Sequence, residues 1–270
     1  MIETVRGYYE DNVQQEWERL ETGLCRAEFA STMRLVRRHF PAAARVCDIG
    51  AGPGRYSIEL ARVGHRVTVF DLAHGNLVRA RLQFTQAGLQ AEAYVQGSAT
   101  DLGPLKTASY GAALLLGPLM HLTSSAERHA ALLELRRVMM PGATGIVAYL
   151  NSWGLMRTGM TDFPATYADA KSILALLQPQ TFEGTLRGFT DCHWSTPPEA
   201  QSEVQAAGFR VITYAGVEGF AGGMHGVVDR IAKEDPVAGD AIVTAAAETS
   251  ELPQYRDATD HLHLVVCREG

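Results

Sequence analysis

No stretch of this sequence is apolar and long enough to span a bilayer, and its opening, MIETVRGYYED, puts acids where a secretory leader needs positive charge. A membrane or secreted protein is therefore not expected; a soluble, cytoplasmic one is. Cysteine is sparse, and Cys25, Cys47, Cys192 and Cys267 form no CxxC pair. That argues against a zinc site and against a disulfide framework. Positive charge is short as well: 24 Lys and Arg against 30 Asp and Glu leave a formal net charge of -6. The clustered cations that grip nucleic-acid phosphates are missing, and the one basic run, RLVRRHF, reads as the solvated face of a helix. Internal repeats and low-complexity tracts are absent too.

What is present is apolar content, 46% over 270 residues, enough to bury the core of one embellished domain. Tyr9, Val13, Trp17 and Leu20 share one helical face, and Phe29, Met33, Val36 and Phe40 share another, so two helices are expected before Pro41. From residue 45 short apolar runs alternate with longer amphipathic segments, the signature of a parallel sheet wrapped by helices. Strands are expected at 45–50, 66–71, 91–97, 110–116 and 145–151. The helix after the fourth has a capping box, Ser124 with Glu127, and a stop at Pro141-Gly142. Residues 152–190 hold Trp153, Met156, Met160, Phe163 and Tyr167 and read as an inserted helical segment. A second capping box, Thr196 with Glu199, opens a helix ending near Gly208, followed by strands in FRVITYAGVEGF and DHLHLVVCRE.

The segment VCDIGAGPGRYS carries the chemistry. A dinucleotide loop requires GxGxxG, but Gly50, Gly52 and Gly54 give GxGxG, with Arg55 where the last glycine should stand. Asp48 beside the loop would repel a pyrophosphate, so a ligand bearing a cation suits it better. Asp71 closes the second strand, where a carboxylate can accept from both hydroxyls of a ribose. NAD and S-adenosylmethionine satisfy Asp71 alike; a turn or capping role is also open to it.

VCDIGAGPGRYS, VTVFDLAHGNLVRAR, QGSATDL and LLLGPLMHLTSSAERHAALLELRRVMMPGA together resemble successive motifs of class I S-adenosylmethionine-dependent methyltransferases, from about residue 44 to 151. The tail STPPEAQSEVQAAGF resembles the type 11 branch. The resemblance implies an α/β, Rossmann-like seven-stranded sheet in the order 3-2-1-4-5-7-6, strand 7 antiparallel, with helices on both faces. It implies one domain: an N-terminal helical lid (1–41), a cofactor-binding core (44–151), a lid or substrate insertion after strand 5 (152–190), and C-terminal strands and helices (191–270). It puts Gly50, Ala51 and Gly52 against the cofactor's methionine and ribose, Asp48 near its amino group, Asp71 on the ribose and Leu72 against adenine. Ser98 replaces the acid that relatives often place by the adenine amine, so Ser98, the Ala99 backbone or Asp101 takes that contact. Gly117 at the fourth strand's end and Tyr8 in the lid complete the cofactor set.

The implied reaction is methyl transfer to a small-molecule acceptor, of the kind found in specialised metabolism, leaving S-adenosylhomocysteine. The sulfonium is already activated, so positioning the acceptor in line supplies most of the catalysis. His121 is the candidate base, with Tyr9 and Asn151 beside it. Trp17, Tyr167, His193, Trp194 and His225 are candidate acceptor contacts, each also with a plain packing role open to it. No metal is expected, because LLLGPLMHL and YLNSWG supply no carboxylates at the strand ends. A monomer or homodimer without nucleic-acid or membrane partners follows. Three alternatives stay open: a cyclase turning the cofactor's aminobutyrate chain into a ring amino acid such as azetidine-2-carboxylate with release of methylthioadenosine, a non-catalytic cofactor-binding protein, and a nicotinamide dehydrogenase.

Overall fold

The computed structural model describes residues 2–162, 164–182 and 190–270. Its centre is a sheet whose strands are β1 (Arg45–Ile49), β2 (Arg66–Asp71), β3 (Ala93–Gln96), β4 (Tyr110–Leu115), β5 (Met139–Asn151), β6 (Gln180–Phe182), β7 (Cys192–Ser195), β8 (Phe209–Gly216) and β9 (His261–Arg268). β1, β2 and β4 are buried almost throughout, as near-continuous apolar strands covered on both faces must be. Side chains alternate across the sheet: Cys47 and Ile49 enter one core with Leu132, Leu135 and Val204, while Val46 enters the other with Val36, Leu60 and Phe84.

The helices that supply those cores are α1 (Ile2–Asp11), α2 (Val13–Arg19), α3 (Cys25–His39), α4 (Arg55–Arg62), α5 (His74–Gln86), α6 (Pro118–His121), α7 (Ser125–Val138), α8 (Ser152–Asp162), α9 (Ala170–Ala175), α10 (Pro197–Ala206), α11 (His225–Glu234), α12 (Pro236–Thr249) and α13 (Pro253–Arg256). α7 and α10 cover one face of the sheet; α3, α4 and α5 cover the other. None is long and apolar enough to cross a membrane among the described residues.

Four local expectations are corrected. The sheet has nine strands rather than seven and branches at β5: the expected path 3-2-1-4-5-7-6 runs through β3-β2-β1-β4-β5-β9-β8, and a β6–β7 hairpin is added beside it. β5 is 13 residues long. Its far end, Leu150 and Asn151, pairs in parallel with β7, which forms a hairpin with β6. Its middle pairs antiparallel with β9, which in turn pairs antiparallel with β8. Second, the first forty residues form three helices, because the chain breaks at Asn12, whose side chain donates to the Tyr8 carbonyl at 2.7 Å, and again at Gly23, where φ is +41°.

Third, α7 stops at Val138 and the chain passes straight into β5, with Pro141-Gly142 inside the strand rather than ending the helix. Fourth, Ser124 occupies the N-cap of α7 without a side-chain cap bond. Arg128 holds that turn instead, donating to the carbonyls of Leu122 at 3.0 Å and Thr123 at 3.1 Å. Thr196 does cap α10, accepting from the Glu199 amide at 3.4 Å, with Pro197 in the first turn. Residues 152–182 contain α8, one 3-10 turn, α9 and β6; Phe163 lies outside the described residues.

Candidate active site

The loop after β1 is stitched to β2: the amides of Gly50 and Ala51 both donate to the Phe70 carbonyl, at 2.8 and 3.1 Å. Gly50 has φ +72°, and a Cβ built there would sit 2.5 Å from the Pro118 ring. Gly52 has φ +55°, but a Cβ there would meet nothing within 4 Å. Gly54 caps α4 and lets it approach α5, a Cβ falling 3.0 Å from that of Ala80. The close approach that a dinucleotide loop assigns to its third glycine is therefore made one position earlier. The Arg55 side chain turns to the N-terminal helices and ties α4 to them, pairing with Glu21 at 2.6 Å and lying over the Trp17 ring at 4.3 Å.

Asp71 organises the neighbouring turn. Its Oδ2 accepts from the Gly52 amide at 2.7 Å, and its Oδ1 accepts from the Ala73 amide at 2.8 Å and the Asn76 side chain at 3.1 Å. The buried Asn76 Oδ1 has no hydrogen-bond partner among the described residues. Asp48, 2% exposed, accepts from the Ser57 hydroxyl at 2.6 Å. Burial pushes its carboxyl up to about 7, so a cation brought nearby favours the ionised form.

A cavity of about 440 Å³ runs from this loop under the N-terminal helices. Asp48, Gly50, Ala51, Gly52, Asp71 and Leu72 line it, as do Ser98, Ala99 and Gly117. Tyr9, His121, Trp194 and His225 line it too. His121 Nδ1 lies 3.0 Å from the Asp191 carbonyl, which can only accept, so that nitrogen carries the proton. Nε2 therefore accepts, and the Tyr9 hydroxyl donates to it at 2.7 Å. Burial pushes the imidazole down to about 4, keeping it neutral at ordinary pH, and raises the Tyr9 phenol well above its usual value.

Five expected site residues lie outside the cavity lining. Asn151 donates to the carbonyls of Asp257 at 2.9 Å and Thr259 at 2.7 Å and accepts from the Trp153 amide, fastening the end of β5 to the approach of β9. Trp17 lies under Arg55 and Arg79. The Tyr167 hydroxyl donates to the Leu155 carbonyl at 2.8 Å. His193 sits 2.9 Å from the Thr181 hydroxyl and 3.4 Å from Glu199. Tyr8 stacks edge-on against Tyr9 with centroids 5.2 Å apart.

The cavity also holds charge that the sequence pattern does not announce. Arg19 pairs with Glu28 at 2.7 Å and with Glu16 at 3.4 Å. Burial opposes ionisation of Glu28, but Arg19 outweighs it and holds the carboxyl down at about 2. Burial likewise opposes His261, yet the Glu218 carboxylate 2.6 Å away holds the imidazole up at about 9. Burial pushes His263 down to about 4. The visible signals were a glutamate on the buried face of α3 and two histidines at alternate positions of an apolar strand.

These shifts set the pH dependence of stability. His121 and His263 have folded pKa values below the ordinary 6.5, so stability rises with pH between about 4 and 6.5, partly offset by Asp48, whose raised pKa works the other way. His261 has a raised folded pKa, so its contribution is complete below 6.5 and is lost as pH climbs through about 9. The melting temperature should peak near pH 6.5, and His261→Asn should flatten the alkaline limb. A maximum at pH 9 would contradict this assignment.

A glycine loop after β1, an acid at the end of β2 and a cavity over the carboxyl ends of parallel strands define a Rossmann-like cofactor-binding domain. Residues 46–142 match the family model described as methyltransferase domain. Over these residues the chain is similar to S-adenosylmethionine-dependent methyltransferases, and one such protein from Methanosarcina mazei shares its fold with a TM-score of 0.57 at 16% identity, over 87% of this chain and 97% of that one. The tail that resembles the type 11 branch lies outside the matched residues. A ubiquinone biosynthesis O-methyltransferase of Xanthomonas axonopodis pv. citri is 33% identical over 111 residues, 41% of this chain and 45% of that relative. A protein of the same name from Azorhizobium caulinodans is 31% identical over 176 residues, 64% of this chain and 61% of the relative. The chain thus matches less than half the length of the Xanthomonas relative. Its fold is similar to that of 1,6-didemethyltoxoflavin-N1-methyltransferase of Burkholderia thailandensis, with a TM-score of 0.61, 15% identity, and coverage of 99% of this chain and 88% of that one.

The site suits the cofactor. The space beside Gly52, the orphaned Asn76 Oδ1 and two buried carboxylates are what a sulfonium nucleoside with a diol would occupy.

Proposed function

We propose that this chain transfers a methyl group from S-adenosylmethionine to a small-molecule acceptor bound in the same cavity. One observation carries the reading: a single cavity joins the loop of Gly50 to Gly52 and Asp71 with the Tyr9–His121 pair. When bound, the cofactor supplies an electrophilic methyl carbon whose leaving group is a neutral thioether. Asp71 and Asn76 hold the ribose hydroxyls, Leu72 lies against adenine, and Ser98 or the Ala99 backbone meets the adenine edge. Asp48 balances the cofactor's positive charge.

The Asp191 carbonyl fixes the tautomer of His121, so Nε2 presents its lone pair to Tyr9 and to an acceptor O–H or N–H that displaces it. An imidazole held near 4 is a weak equilibrium base. Its part is to accept a hydrogen bond and orient the nucleophile, with a proton moving only as the new bond forms. The name of the curated relatives supports an oxygen acceptor, and the walls of Met120, Leu150 and Trp194 support an apolar body for it.

The test is a pair of measurements on His121→Ala. S-adenosylhomocysteine affinity should stay within about twofold, while turnover with a productive acceptor should fall about tenfold to a hundredfold. Tyr9→Phe should fall by less, because His121 keeps its lone pair. Unchanged turnover in His121→Ala would return this histidine to packing. NAD binding without S-adenosylhomocysteine binding would overturn the cofactor reading altogether.

A further inference from the structure

The cavity has a second polar end, away from the glycine loop. Asp260 stands just before β9, its carbonyl accepting from the Asn151 amide at 2.8 Å. Asp260 is 3% exposed, and its Oδ1 accepts from the Thr158 hydroxyl of α8. Its Oδ2 has no hydrogen-bond donor among the described residues. The His225 Nδ1 is 3.6 Å away, beyond hydrogen-bond reach, and it too is buried without a partner among them. Both residues line the cavity. Two adjacent orphaned polar atoms in a cavity wall mark a place where a ligand can supply the missing partners.

The surroundings choose among ligands. Among the described residues, both arginines lining the cavity are taken, Arg19 by Glu28 at 2.7 Å and Arg55 by Glu21 at 2.6 Å. An acceptor bearing a carboxylate or phosphate at this end would meet Asp260 with neither guanidinium free to pair it. A hydroxyl satisfies both atoms only when His225 Nδ1 carries the ring proton, and it brings no charge to the carboxylate. An ammonium has three and satisfies both, and its charge pairs with the carboxylate.

We propose that Asp260 and His225 form the orienting subsite for the acceptor and that it takes a protonated amine, which donates to Asp260 Oδ2 and His225 Nδ1. The substrate class is then a small apolar amine whose nucleophile reaches Tyr9 and His121 while its ammonium is held here. This rests on the reading of the cavity as cofactor site plus acceptor site.

The test is binding, measured by ligand-observed NMR and calorimetry on protein saturated with S-adenosylhomocysteine. The probes are two matched pairs: tyramine with 3-(4-hydroxyphenyl)propionate, and phenethylamine with 3-phenylpropionate. The amine of at least one pair should bind about tenfold tighter than its carboxylate partner. Asp260→Asn keeps the acceptor for Thr158 and should erase that preference with S-adenosylhomocysteine affinity unchanged. His225→Ala, at a partly exposed helix start, should weaken the amine by several-fold and serves if Asp260→Asn fails to fold. Carboxylates binding as well as amines, amine binding insensitive to both variants, or no amine binding at millimolar concentration would each overturn the subsite. Failure of S-adenosylhomocysteine itself to bind would instead overturn the underlying cofactor reading.

Discussion

Replacing Asp71 by alanine should cost about a hundredfold or more in affinity for S-adenosylhomocysteine, because several interactions fail together. The carboxylate accepts from the Gly52 amide, the Ala73 amide and the Asn76 side chain, at 2.7, 2.8 and 3.1 Å, so it fixes the glycine loop and the turn after β2 at once. It is also the group we assign to the ribose. Losing it leaves the half-buried Gly52 amide without its acceptor and Asn76 free to rotate. Asp71→Asn is the informative companion: it keeps the size and one acceptor, so stability should recover while affinity stays low. Calorimetry on both variants checks this, and an Asp71→Ala protein that binds within about threefold of wild type would remove Asp71 from the cofactor site.

A pair of glycine substitutions should separate folding from binding. Both positions have positive φ, +72° at Gly50 and +55° at Gly52, so alanine is strained at each by about 1 to 2 kcal/mol. At Gly50 the added carbon also lands 2.5 Å from the Pro118 ring, which is pinned at the start of α6. Overpacking adds about 1 to 3 kcal/mol, so Gly50→Ala should lose about 2 to 5 kcal/mol in all. At Gly52 the carbon meets open cavity. Gly52→Ala should therefore unfold only slightly earlier than wild type in urea, yet lose cofactor affinity about tenfold or more, since the methyl occupies the ligand's space. Equal destabilisation of the two variants would contradict the geometry of the loop.

The parts legible in the sequence were those encoded locally. β1, β2 and β4 announce themselves as short apolar runs, and Asp71 can be placed at a strand end because RVTVF leads directly into it. The glycine loop, with Asp48 ahead of it and Arg55 after it, indicated the ligand class from adjacent residues alone. The parts that were not legible depend on neighbours far along the chain. Asn151 at a strand end looks catalytic until Asp257 and Thr259 close around it, some hundred positions later. Ser124 has the spacing of a capping box, but Arg128 already occupies the turn's carbonyls. CHWS contains too little apolar sequence to read as a strand and becomes one because β5 outruns its neighbours and offers an unpaired end. Arg19 and Glu28 each look like surface charge; only the turn between α2 and α3 brings the half-buried Arg19 onto the buried Glu28.

The central claim is that the bond made in this cavity joins the cofactor's methyl carbon to a second molecule. Its most direct test is to identify the nucleoside released when the purified protein is incubated with S-adenosylmethionine, alone and then with a panel of small amines and phenols, by mass spectrometry. S-adenosylhomocysteine should appear only when an acceptor is present, with the acceptor about 14 mass units heavier, the mass of one added CH₂. Methylthioadenosine released without any acceptor would contradict the claim and place the reaction on the aminobutyrate carbon instead.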